Sequence, residues 1–245
     1  MSLNALVFFY DDWHIAGLFD FQELEGGDAW GLLRLSNEIA KRLELKPVPT
    51  IRVLDVETPC AFSVGLFSAK AKIYVSLGLI SRLSHKELIG VLEFEMIRIQ
   101  NHQTQAATAF AATSGLLVLA ANLLDTVVVA TQWGRSSRLK KNGPFLLLIS
   151  PLMALVARLG LRRTQIFAID AFVAESLGKE TGTEEWARTL MKLDAYGKTL
   201  PLDVNLADAA LFTVNPLARL HRFEFASAQP SIPERIQQLT GRFPL

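Results

Sequence analysis

The sequence predicts a mostly helical α+β fold, with a small sheet ahead of the main helices and an inserted apolar helical hairpin. Three observations lead there. Short β-branched and aromatic runs cluster between residues 50 and 76. Long stretches with helical apolar spacing follow from residue 84 onward. Half of the 245 residues are hydrophobic, with only 20% charged, and the mean hydropathy is +0.27. That balance is too apolar for a disordered chain and high for an ordinary soluble domain.

The first element is amphipathic. Over Asp28–Leu45, the residues Leu32, Leu33, Leu35, Ile39 and Leu43 share one helical face, and Pro47-Val48-Pro49 ends the run. Thr50 to Val56 reads as a strand, as do Ala61 to Phe67 and Lys72 to Ser76, the last two separated by a turn around Ser68–Ala71. Ser84 and Glu87 form a capping-box pattern, so a helix starts at His85 and is expected to run to about Gln103. Residues 106–158 form the apolar hairpin. Its first arm, Ala106 to Leu124, carries no charge and matches the roughly 20 residues that cross a hydrocarbon core. Its second arm is interrupted by Pro151. The connector between them holds Arg135, Arg138, Lys140 and Lys141, yet Arg158, Arg162 and Arg163 follow the second arm, so spanning, dipping and packing on the surface all remain open. Helices are expected over Arg162–Leu177, Glu184–Tyr196 and Pro233–Leu239. Residues 1–27 form an aromatic segment (Phe8, Phe9, Tyr10, Trp13, Phe19, Phe21) that can fill a core or lie on a membrane or partner surface, and residues 28–245 are taken as one domain.

Several functions are excluded early. A net charge of +1, with 25 Lys+Arg against 24 Asp+Glu, gives no basic field for nucleic acid. The single cysteine, Cys60, rules out an internal disulfide and a cysteine-based zinc cluster. No Gly-x-Ser-x-Gly elbow and no glycine-rich phosphate loop is present.

Two acids stand out. Leu88, Val91, Leu92, Met96 and Ile99 share a helix face, and Glu95 lies within that arc. On the later helix Asp170 lies among Ile166, Ile169, Val173 and Leu177. A carboxylate on an apolar stripe is costly unless it is paired, hydrogen-bonded or metal-bound. Either a catalytic or metal site, or plain neutralisation of a buried cation, would explain both; Arg98 is the nearest cation, and pairing with Glu95, Asp170 or both is expected.

Gly90-Val-Leu-Glu-Phe-Glu-Met-Ile-Arg-Ile-Gln-Asn101 resembles the zinc-motif helix of the HtpX-type membrane metalloproteases, which are gluzincins. Pro59-Cys-Ala-Phe62 and Ile73-Tyr-Val-Ser-Leu-Gly-Leu-Ile80 resemble the strands ahead of that helix. Arg163 to Ala174 resembles the helix of the third ligand, and Pro233-Glu-Arg-Ile236 the start of the C-terminal helix. The resemblance covers roughly residues 28 to 240 and implies a gluzincin-like core of small sheet and active-site helix; the family's two N-terminal membrane helices have no counterpart. It places the first His of His-Glu-x-x-His at Phe94, the general base at Glu95, the second His at Arg98, the third ligand at Ile166 and a supporting acid at Asp170. Phenylalanine and isoleucine have no donor atom, and a guanidinium repels a dication. The remaining donors, His102 with Glu93 and Glu95, would make only a weak ion site. The expectation is therefore no catalytic residues, no metal and no zinc cofactor: a catalytically inactive, non-enzymatic family member that binds, scaffolds or regulates a membrane quality-control or protease assembly. By the resemblance, Lys72, Ile73, Tyr74, Val75 and Ser76 would be an edge strand that takes a peptide or protein by strand addition. The alternatives are an active metalloendopeptidase with a rearranged metal site and a structural membrane subunit. The partners expected are membrane lipid or a membrane protein, at the cytoplasmic face of a bacterial inner membrane.

Overall fold

The computed structural model describes residues 15–24, 28, 30–131, 163–200, 202, 204, 208–214, 216 and 229–242. The expectations for residues 1–14 and for the second arm of the hairpin, with its basic connector, lie outside the described residues.

The elements in order are α1 (Ile15–Leu18), β1 (Phe21–Glu23), α2 (Leu32–Arg42), β2 (Thr50–Leu54), β3 (Ala61–Val64), a 3-10 turn (Ser68–Lys70), β4 (Lys72–Ser76), α3 (Leu77–Arg82), α4 (His85–Gln100), α5 (Gln103–Thr131), α6 (Arg163–Leu177), α7 (Gly182–Thr199), a second 3-10 turn (Asp208–Leu211) and α8 (Ile232–Thr240). The mostly helical α+β expectation holds. The strands sit in the order β1-β2-β4-β3. β2 and β4 run parallel, with Ile51 opposite Ile73 and Val53 opposite Val75. β3 joins β4 antiparallel, with Phe62 opposite Tyr74.

This order corrects one expectation. Lys72, Ile73, Tyr74, Val75 and Ser76 form an interior strand, hydrogen-bonded on both sides, and cannot accept a further strand. A hydrophobic run beside a lysine reads the same at an edge or inside a mixed sheet, because only partner order separates the two. The edges are β1 and β3. Along β3, Phe62 makes an antiparallel bridge to Phe212, the Thr213 N–H donates to the Ala61 carbonyl at 2.9 Å, and the Gly65 N–H donates to Thr108 Oγ1 at 3.1 Å.

Alternation along the strands divides the core in two. Ile51, Val53, Ala61, Ile73 and Val75 face the helices α2, α4, α6, α7 and α8. Leu54, Phe62, Val64 and Tyr74 face α1, the start of α5 and the side chains of Leu202, Val204, Leu211 and Phe212, and Phe62 stacks on Tyr74 with centroids 4.9 Å apart.

The capping box at Ser84 forms, fixing the start of α4. The helix does not run on into the hairpin. It stops at Gln100, and His102 takes a positive φ of 58° before α5 begins at Gln103. α5 is 29 residues long. Among the described residues, no helix is long and apolar enough to cross a membrane. α7 meets α6 and α4 closely because two glycines have no Cβ: one at Gly182 would collide with the Ala174 carbonyl of α6, and one at Gly90 of α4 would press on the Trp186 ring.

Candidate active site on the α4 helix

α4 is buried along most of its length, from Leu88 through Ile99 with one partly exposed position at Ile89. It lies beneath the Ala61–Ser63 face of the sheet and against α6. Since all sides of this helix are covered, its polar side chains need partners within the protein.

Glu95 has 0% exposure and receives four contacts. Ser63 Oγ donates to its Oε2 at 2.5 Å, Thr213 Oγ1 donates to Oε1 at 2.5 Å, and Arg98 Nη1 reaches Oε1 at 3.0 Å and Oε2 at 3.1 Å. Ser63 is in turn 2.8 Å from Thr104 Oγ1. Arg98, 3% exposed, also donates to the Leu211 carbonyl at 2.8 Å. The expected Arg98–Glu95 pair is present.

Asp170 is also fully buried, and its partner is Arg235 of α8. Arg235 Nη2 meets Oδ1 at 2.6 Å and Nε meets Oδ2 at 2.8 Å, a forked pair that the Trp186 indole N–H completes at 2.9 Å. Arg235 Nη1 donates to the Thr213 carbonyl at 2.8 Å. Thr213 therefore touches both halves of the centre, its hydroxyl on Glu95 and its carbonyl on Arg235.

The other site positions are apolar. Phe94 is 1% exposed and Ile166 is 6% exposed. The Arg235 guanidinium lies over the Phe94 ring, 4.8 Å from its centroid, and Phe94 packs on Trp186 at 5.8 Å. Sequence reasoning brought Glu95, Arg98, Phe94, Ile166 and Asp170 to the site. It missed Ser63, Thr213, Trp186 and Arg235. Arg235 carried a weaker signal, since it lies at the margin of the apolar face made by Ile232, Ile236 and Leu239, whereas Glu95 lies inside its own.

Two further acids lie on α4. Burial raises the Glu93 carboxyl above its ordinary value, against the pull of Ser176 and of Arg42, whose Nη2 is 2.9 Å from Oε1. Burial also pushes Glu87 upward, but the Ser84 backbone N–H and Lys192 outweigh it and lower that carboxyl. His102 is exposed at the α4–α5 junction, while Glu93 and Glu95 are sealed inside, and among the described residues no group of three His, Cys, Asp or Glu side chains could hold a metal ion. The residues at Phe94, Arg98 and Ile166 do not fit zinc. Two have no donor atom, and the third is a guanidinium already spent on Glu95. Cys60 is buried with its thiol pushed up to about 12, by burial above all, so it offers no nucleophile at neutral pH.

Comparison with known proteins places this geometry. The chain is 27% identical to the Protease HtpX homolog of Desulfatibacillum aliphaticivorans, covering 100% of this chain and 79% of that relative. It is 28% identical to the Protease HtpX homolog of Pelotomaculum thermopropionicum, over 98% and 86% of the two chains. It is 29% identical to that of Acidiphilium cryptum, over 96% and 82%. The crystal structure of S. mikatae Ste24p shares the fold, with a TM-score of 0.52 at 17% identity, over 97% of this chain and 56% of that one. These findings correct the expectation of a catalytically inactive, non-enzymatic scaffold: the relatives matched across nearly the whole chain are named proteases, which points to a peptidase. With residues 31–243 matching the model of peptidase family M48, the chain belongs to that family.

Proposed function

We propose that the chain works as a membrane-associated peptidase on polypeptide substrates. The observation that carries this reading is the placement of Glu95, the family's general-base position, directly beneath the β3 edge, where Ser63 reaches it. The names of the relatives supply the reaction class. In this reading an extended substrate backbone pairs with β3, whose outer edge already accepts backbone at Phe62 and Ala61. Arg98 grips a backbone carbonyl beside the carboxylate, as it grips that of Leu211. Glu95 takes a proton from a water whose oxygen bonds the carbon of that substrate carbonyl, and returns it to the amine nitrogen that leaves as the C–N bond breaks. Because Leu211–Thr213 now covers both groups, turnover requires that stretch to withdraw.

The reading puts no zinc at Phe94, Arg98 and Ile166, and no step runs through a metal. The long apolar α5 supports association with lipid or with a membrane protein. The bacterial relatives and the basic residues 135–141 support the inner membrane, with the globular part on its cytoplasmic side.

The test is hydrolysis of fluorescently labelled casein by the detergent-purified chain, assayed with chelator and with added divalent metals. Expected are fragments from the wild type and a loss of about 100-fold or more in Glu95→Gln. An equal rate in Glu95→Gln, or no fragments under any metal condition, defeats the reading.

A further inference from the structure

We infer that the cationic charge of this centre is built into the chain: Arg98 and Arg235 neutralise Glu95 and Asp170, and the centre forms and persists without a divalent cation. The inference is independent of whether peptide bonds are cut.

Three observations carry it. The first is saturation. A carboxylate has about four acceptor directions, and those of Glu95 are met by Ser63, Thr213 and two contacts from Arg98. Asp170 accepts Trp186 and both arms of the Arg235 fork. Glu95 thus receives four contacts and Asp170 three, all from within the protein.

The second is charge. A dication bound to Glu95 would share that carboxylate with a guanidinium 3.0 Å away, and arginine cannot shed its proton to make way. Both arginines are almost fully buried, at 3% and 1% exposure, so solvent does not screen the repulsion.

The third is volume. Phe94 and Ile166 are buried, and the Phe94 ring packs against both the Arg235 guanidinium and Trp186. The space beside the carboxylates is occupied by packed apolar atoms. The two ion pairs are also joined, since Thr213 bonds Glu95 through its hydroxyl and Arg235 through its carbonyl.

The experiment combines metal analysis with a double-mutant cycle on the full chain in detergent. Wild type is dialysed against zinc, washed and analysed for metal by mass spectrometry; its unfolding midpoint is then followed with EDTA and with zinc. The expected result is no stoichiometric metal and a midpoint constant to about 1 °C, because a ligand that does not bind the native state does not shift it. Arg98→Met strands a buried carboxylate and is expected to lower the midpoint by roughly 10 °C. Arg98→Met/Glu95→Gln removes the stranded charge and recovers more than half of that loss. If Arg98→Met fails to fold, return of a cooperative transition in the double variant is the readout. About one zinc per chain with a midpoint that falls on chelation overturns the inference, and so does a double variant no more stable than Arg98→Met or equally unfolded.

Discussion

Glu95 and Arg98 are three residues apart on one helix turn, so their contact follows from local geometry alone. Asp170 and Arg235 are 65 residues apart, and their pairing depends on how α6 and α8 dock. That difference sets what was legible at the residue scale. The inward acids and the Arg98 contact could be read from helical spacing. Ser63 and Thr213 could not, because hydroxyls are common on strands and loops and nothing in their neighbourhood marks them as partners of a helix carboxylate. The forked geometry at Asp170 makes arginine hard to replace. Arg235→Lys keeps the charge but loses one arm and the Thr213 bond, and is expected to cost about 2–4 kcal/mol in urea unfolding. At Cys60 the raised thiol pKa predicts no labelling by iodoacetamide at pH 8 in the folded chain, and full labelling in denaturant.

At the scale of elements, α4 is held by its cap and stressed by its core acid. Ser84→Ala removes the acceptor for the Glu87 N–H and is expected to cost about 1 kcal/mol, checked by thermal unfolding. Glu93 acts through pH. Its carboxyl is raised in the fold, so the folded chain holds that proton to higher pH than the unfolded chain. Stability from this group therefore falls as pH climbs from the ordinary value of 4.5 through the raised one, and levels off beyond. Glu93→Gln should flatten that slope in urea titrations taken across pH. Glu87 works in the opposite sense: its carboxyl is lowered, so its contribution is lost as pH falls through the folded value. The element boundaries follow the same division. Ser84 and Glu87 announced the start of α4, while its stop at Gln100 was hidden, because no glycine or proline marks the turn and His102 takes the positive φ instead. β4 was legible as a strand but not as an interior one.

For the molecule as a whole, the sheet is a partition. Its α4 face collects the charged centre and its other face packs aromatic rings against the start of α5. The aromatic face thus joins the long apolar helix directly to the strand that lies over Glu95. If α5 works at a lipid surface, the full chain should float with phospholipid vesicles in a density gradient and remain with them at high salt, since apolar contact is not screened. Release by salt would point to the basic residues instead. The overall class was legible because periodicity changes from strand to helix at one place, near Ser84. Strand order was not, because it is decided by which chain segments meet late.

Thr213 and Arg235 draw that last point into time. The Thr213 backbone N–H donates to the carbonyl of Ala61, 152 positions earlier in the chain, and Arg235 bonds Asp170. A ribosome releases α4 and α6 well before it makes α8. Until then Asp170 has no cation, and burying it would cost more than packing around it returns. Until the C-terminal helix emerges, this acid stays in water or takes up a proton, and the ion pair that closes α6 on α8 cannot form. Synthesis that halts before Arg235 leaves a chain with both core faces written but the final closure impossible, exposed apolar surface included, which is the form that cellular proteases and chaperones remove.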